Sequence, residues 1–302
     1  MIRYIKILEG EPLSFLVNSS SRYLPTVTVH SWGGFGSQLF AAHFVLRLKK
    51  KYPKRRIRIA VHTSGVTQRH TELNFSVIGI KSYEINDFAA KTESKEDSDT
   101  SANNSILSKV ALRRIKFLLK KLHFIEDCNT EESFSLIKPW SIHFRGHYTQ
   151  INLDWGVVKF LDEKYFKNIE IWNSNSDSLV IHYRLGDLLT LNDKSPIEAK
   201  RVESLLIQQQ LQSFSKIVLT ESSPEKYREF VAGCNILSSL EAKNVEVFDL
   251  MRICISANVF IGTGTKLAIW AVIFRNIRSN VSNFLPKELY WARRLGLETF
   301  WY

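Results

Sequence analysis

The sequence predicts an α/β protein made of two Rossmann-like halves. Short β-branched apolar runs alternate with longer stretches of helical periodicity. Two of the runs end in glycine-containing turns that open a helix, and the polar stretch WNSNSDS (172–178) divides the chain. With 302 residues, 44% of them hydrophobic, there is enough apolar material to fill two cores.

In order along the chain, LPTVTVH (24–30) reads as a strand, SWGGFGSQ as a tight turn and LFAAHFVLRLKKKY (39–52) as a helix with positive charge at its C-terminus. RIRIAVH (56–62) is a second strand. KTESKEDSDTSANNS (91–105) is too polar for a core and reads as a solvated loop, followed by a basic amphipathic helix over 106–124. Past the divide come a strand ending in IHYR, a helix through 197–213, strand KIVLT (216–220) and helix PEKYREFVAG (224–233). Strand VEVF (245–248), a helix over 249–257, strand NVFIGT (258–263) and helix KLAIWAVIF (266–274) complete the alternation. Residues 284–302 read as a final amphipathic helix. The predicted domains are 1–172, 173–283 and this terminal helix, 284–302, packing back on the first domain.

Lys and Arg outnumber Asp and Glu by 41 to 30, for a net charge of +11. That surplus attracts anions, whether nucleic acid, acidic lipid or phosphorylated small molecules. It is concentrated in 47–58 and 113–124. Three well-separated cysteines (Cys128, Cys234, Cys254) offer neither a disulfide framework nor zinc spacing. No stretch has the unbroken apolar length of a signal peptide or a membrane span, so the expected compartment is the cytoplasm. The four Asn-X-Ser matches are read as chance.

Three stretches carry candidate chemistry. In GGFGSQLF (33–40) the glycines let a ligand approach the backbone at a helix N-terminus, although the spacing is neither GxGxxG nor a phosphate-binding P-loop. A tight turn alone explains it equally. In IHYRLGDLL (181–189), His182, Arg184 and Asp187 follow an apolar strand, where open α/β sheets bind ligands. The Arg184 guanidinium fork suits two phosphate oxygens; a local Arg184–Asp187 pair is the plainer alternative. In FIGTGTKLAIW (260–270), Thr263, Thr265 and Lys266 form an anion cradle or an ordinary helix cap by Thr265. No DxD acid pair suggests a bridging metal.

HYRLGD resembles the HxRRGD motif of the α-1,2-fucosyltransferases and their relatives among the α-1,6- and protein O-fucosyltransferases. SWGGFGSQLFAAHF, FRGHYTQ (144–150), IVLTESSP (217–224) and DLMRICISANVFIGTGTKLAIWA (249–271) resemble further segments of the α-1,2 family, in the family's order. The resemblance implies a GT-B-like fold, two Rossmann-like domains across a cleft, and inverting, metal-independent transfer of fucose from GDP-fucose to a glycan hydroxyl with no cofactor. It implies GDP-sugar contacts from His182, Arg184, Glu221, Ser222, Thr263, Thr265 and Lys266. Gly34, Gly36 and Gln38 would face the transferring centre. Arg184 is the expected catalytic residue and Asp187 a positioning group, with Asp187 and Asp193 the nearest acids for a base.

The motif's second arginine is Leu185 here, and its acid pair is reduced to Glu221 beside Ser222. These departures leave another GDP-sugar, or an inactive scaffold relative, as alternatives. A nucleic-acid-binding protein is the third class, carried by the charge alone, since no nucleic-acid-binding motif is present. The basic runs suggest a lipid-linked acceptor and peripheral contact with an anionic membrane face.

Overall fold

Alternation along the first strand fixes the first sheet. In β1 (Val27–Trp32), Val27, Val29 and Ser31 are buried on one face, while Thr28, His30 and Trp32 lie on the other. β2 (Ile57–His62) pairs with β1 in parallel and in register, so Ile57, Ile59 and Val61 extend the apolar face. β3 (Lys81–Ile85), β4 (Ile125–Asp127) and β5 (His143–Arg145) complete a parallel sheet in the order β3-β2-β1-β5-β4. The computed structural model describes residues 25–63, 70–86, 114–115, 117–167, 178–185, 188, 195–279 and 282–302. The segment 1–24, most of the polar stretch and basic helix expected over 91–124, the boundary at 172–173, and Asp187 and Asp193 lie outside the described residues.

The second sheet is parallel too, in the order β11-β10-β9-β6-β7-β8. Its strands are β6 (Ser178–Tyr183), β7 (Ser215–Thr220), β8 (Ala242–Lys243), β9 (Val259–Gly262), β10 (Asn283–Leu285) and β11 (Phe300–Trp301). The predicted α/β class with two Rossmann-like sheets is therefore the observed one.

The helices flanking the sheets include α1 (Phe35–Lys51), α2 (Glu131–Ser135), α3 (Trp155–Phe166), α4 (Ala199–Gln208), α5 (Pro224–Val231), α6 (Val247–Ser256) and α7 (Lys266–Ile277). Two are buried almost all round, as central helices must be. Twelve of the seventeen residues of α1 are buried, and α7 is buried without interruption from Leu267 to Arg275. They pack on each other: Phe40 meets Trp270 with ring centroids 5.1 Å apart. One hydrophobic cluster consequently runs from Val29 through α1 and α7 to Leu285 of the second sheet.

Two sequence expectations are corrected. VEVF (245–248) is no strand; Val247 opens α6, and the strand of this region is the two-residue β8 upstream. The segment 284–302 is not one helix. Its ends pair as β10 and β11, leaving only a 3-10 stretch, Lys287–Leu295, between them. That stretch still leans toward the first half, with Trp291 6.3 Å from Phe40 and Arg294 bonded to Gln150 at 3.3 Å.

Candidate active site in the cleft between the sheets

Each sheet reverses its strand order at one place: beside β1 in the first, and between β6 and β9 in the second. Ligands of parallel α/β sheets bind beyond the carboxyl ends of strands at such points. Here the two points face one another across a cleft of about 1310 Å³. The first sheet contributes Trp32 and the glycine turn after β1, and Arg145 at the end of β5 with His147 just beyond it. The second contributes Arg184 after β6 and the Thr263–Lys266 turn after β9.

The two strand ends of the second sheet are stapled together. The Thr263 hydroxyl donates to the carbonyl of His182 at 3.1 Å and accepts the Arg184 N–H at 2.8 Å. That fixes the backbone from which the Arg184 side chain reaches the cleft. Its guanidinium holds Glu221 at 2.5 Å, and Glu221, at the end of β7, lines the cleft as well. Under this pair the His182 ring is wholly buried, with no hydrogen bond to either nitrogen. Its Nε2 lies 3.7 Å from a Glu221 oxygen. An orphaned buried imidazole is costly, about 1–3 kcal/mol, and calls for an explanation.

Across the cleft, Lys266 Nζ reaches the Ser37 hydroxyl at 3.1 Å and His147 Nδ1 at 3.3 Å, tying the start of α7 to both first-sheet turns. The helix starts abut. A Cβ at Gly36 would lie 2.5 Å from the backbone nitrogen of Leu267, so only glycine fits. Two helix N-termini, each favouring anions, therefore open at one end of the cleft, near Lys266, Arg184 and Arg145.

The expected site residues are only partly brought together. Arg184, Glu221, Thr263, Lys266, Gly34 and Gly36 line the cleft. Thr265 lines it too, but its hydroxyl is occupied as the cap of α7, accepting the Ala268 N–H at 2.8 Å. Ser222 is buried, its N–H turned back to Thr220 Oγ1 at 3.2 Å. Gln38 does not face the centre as expected. It is buried in α1, and its amide bonds to the backbone of the turn at Gly33 and the loop at 70–73.

Sequence reasoning missed Arg145, His147, Trp32 and Glu72. Arg145 and His147 flank a glycine after a short β-run in HFRGH, the pattern that drew attention to the other turns. Glu72 sits in a loop with no motif.

The basic run 47–58 is largely engaged within the molecule. Arg47 grips Glu131, Lys50 pairs with Asp154, and Lys51 and Arg55 bond backbone carbonyls. All three cysteines are buried and free of disulfide bonds. Among the described residues no histidine, cysteine and carboxylate group is spaced to hold a metal ion, and no helix is long and apolar enough to cross a membrane.

Fold and cleft together define a two-sheet α/β protein whose strand ends meet in a groove lined by Lys120, Arg145, Arg184 and Lys266 and by as many carboxylates. No family model matches the sequence, and no curated protein does. Among solved structures, the E. coli heptosyltransferase WaaC with ADP-2-deoxy-2-fluoro heptose is 9% identical, with a TM-score of 0.42 over 86% of this chain and 88% of that one. E. coli ADP-heptose lps heptosyltransferase II is 11% identical, with a TM-score of 0.41 over 92% and 90%. A family 9 glycosyl transferase from Veillonella parvula is 11% identical, with a TM-score of 0.40 over 86% and 80%. At identities and TM-scores this low the likeness carries no argument about chemistry or substrate.

Proposed function

We propose that this protein is a glycosyltransferase that binds a nucleoside-diphosphate sugar in the cleft and passes the sugar to a glycan hydroxyl, with GDP-fucose as the donor and an α-1,2 linkage as the product. The observation that carries the reading is Arg184. It stands at the strand-order reversal of the second sheet, its backbone is fixed by Thr263, and Lys266 and the start of α7 lie beside it. In the transfer, negative charge grows on the departing diphosphate. Fixed cations and N–H groups aimed at that charge are where an enzyme gains most. GDP-fucose as donor rests on the resemblance of HYRLGD and the ordered segments around it.

Glu221 holds the guanidinium. A diphosphate taking Arg184 competes with that carboxylate, whose other oxygen lies 3.7 Å from the buried His182 ring and can become its partner.

The acceptor is proposed to be lipid-linked. Beside the cleft, residues 117–121 form a helix whose Lys120 lines the groove while Phe117, Leu118 and Leu122 are exposed, Phe117 by 71%. Trp140 continues the apolar surface and Lys121 adds charge, the combination that settles on anionic lipid.

The test is GDP release from GDP-fucose, with EDTA present, on a galactose-terminated acceptor offered free and on phosphatidylglycerol vesicles. Release with both, faster on vesicles and slowed there alone by Phe117→Ser, supports the reading. Release from GDP-mannose and not GDP-fucose corrects the donor; no release from either removes the proposal.

A further inference from the structure

Arg184 and Lys266 account for the donor's diphosphate, and both belong to the second sheet. The strand order of the first sheet reverses between β1 and β5, and Trp32 and Arg145 are the last residues of those two strands. Both line the cleft, at the point where a parallel sheet receives its ligand. In the reading above the donor is held on the opposite wall, so a ligand that meets the first sheet here is the acceptor.

The strand end that carries Arg145 is fixed by the fold. Its carbonyl accepts the N–H of Cys128 at 2.8 Å. A Cβ on the next residue, Gly146, would collide with the Cys128 carbonyl, so glycine is required there. Beyond it the His147 N–H is held by Asn129 Oδ1 at 2.9 Å. The buried Tyr148 hydroxyl lies 2.8 and 2.9 Å from the carbonyls of His30 and Phe144, joining β5 to β1. Trp32 is constrained as well. Its indole stacks on the His62 ring, with centroids 4.3 Å apart and planes 14° from parallel. The Arg145 guanidinium lies over that indole, 5.4 Å from its centroid.

The charges of the cleft wall single out Arg145. Four carboxylates line the cleft and each has a partner: Glu221 has Arg184, Asp127 has Lys120, Glu288 has Arg201, and Glu72 accepts the Phe35 N–H. Asp127 stands opposite Arg145 in the β4–β5 register, and the Lys120 ammonium takes it. Among the described residues no hydrogen bond or ion pair engages the Arg145 guanidinium; its contact is the Trp32 ring. That ring offers no acceptor oxygen, while a guanidinium fork matches the paired oxygens of a carboxylate or phosphate.

We propose that Arg145 is a specificity-determining residue that binds an oxyanion, carboxylate or phosphate, on the acceptor saccharide, an assignment that rests on the glycosyltransferase reading above. The acceptor is then an acidic sugar chain. Trp32 holds the fork in place and gives the sugar ring an apolar surface. Arg145 grips the acceptor alike before and during transfer, so its loss falls on KM rather than on kcat.

Three galactose-terminated disaccharides test this, alike except at carbon 6 of the second sugar, which bears a hydroxyl, a carboxylate or a phosphate. Each is offered in GDP release from GDP-fucose to the native protein, Arg145→Met and Arg145→Lys, and the GDP affinity of each protein is measured beside it. The expected native result is a kcat/KM about 10- to 100-fold higher for an acidic disaccharide than for the neutral one, the better of the two naming the anion. Arg145→Met keeps an apolar stem over Trp32 and removes the charge. It should lose that preference through KM, with GDP affinity within about threefold of native. Arg145→Lys, which keeps the charge without the fork, should retain part of the preference, and it carries the test if the methionine variant fails to fold. Acidic disaccharides used no better than the neutral one, a preference that survives in Arg145→Met, or a loss of GDP affinity in that variant overturns the role of Arg145. Turnover and GDP binding by the native protein then leave the wider reading standing. Absence of both in the native protein overturns the two together.

Discussion

His43 shows how a single side chain ties the first half to pH. Its ring is enclosed in α1 and accepts the N–H of Asp154, the cap of α3, at 3.0 Å. Burial, with Arg47 nearby, pushes its pKa down to about 3. His30 behaves alike: it lies in a row of three imidazoles, 2.8 Å from His62 and 3.0 Å from His143, and burial pushes it down to about 4. Both rings are neutral in the folded protein at pH 6.5, where the unfolded chain begins to bind protons. The unfolded state therefore takes up more protons as pH falls below 6.5, and stability is lost in that direction. For His43 alone the loss between pH 6.5 and 5 is about 2 kcal/mol, at 1.36 kcal/mol per unit. Urea denaturation at the two pH values measures it. His43→Gln, which keeps an acceptor for Asp154 without titrating, should flatten the slope; an equal slope in both proteins contradicts the assignment.

At the scale of elements, strands are most legible where they are central and largely buried. β1, β2, β6, β7 and β9 were all legible, because central strands of parallel sheets read as unbroken β-branched runs. The short or exposed strands were not. β3, β4 and β5 carry few buried side chains, so nothing in their composition sets them apart from loops. VEVF misled because β-branched residues also suit the buried side of a helix; Leu250, Met251 and Cys254 continue its pattern at helical spacing. The last segment misled in the other direction, its helical periodicity ending in two short strand pairings that local pattern does not encode. The site followed the same rule. Arg184 and the Thr263 turn sit at the ends of legible strands. Glu72 and Gln38 act through a contact between distant segments, which no local motif announces.

For the whole molecule, the consequence of burying α1 against α7 is that one hydrophobic cluster spans both sheets, while the second sheet keeps a further cluster of its own. Arg278 adds a bidentate pair with Asp162 of α3, at 2.9 and 3.2 Å, across the same seam. Calorimetry should therefore show one cooperative unfolding transition with equal calorimetric and van't Hoff enthalpies. Two separable transitions would mean that the halves fold independently. The spanning cluster also holds the two strand-order reversals facing each other across the cleft.

That cleft makes the central claim directly measurable. Isothermal calorimetry with GDP and GDP-fucose, in EDTA, on the native protein and Arg184→Ala is the most direct test. The account predicts metal-independent binding of both to the native protein, weakened at least 30-fold in the variant, about 2 kcal/mol for a charge-assisted hydrogen bond. Equal affinity in the two proteins, or no binding of either ligand to the native one, would contradict it.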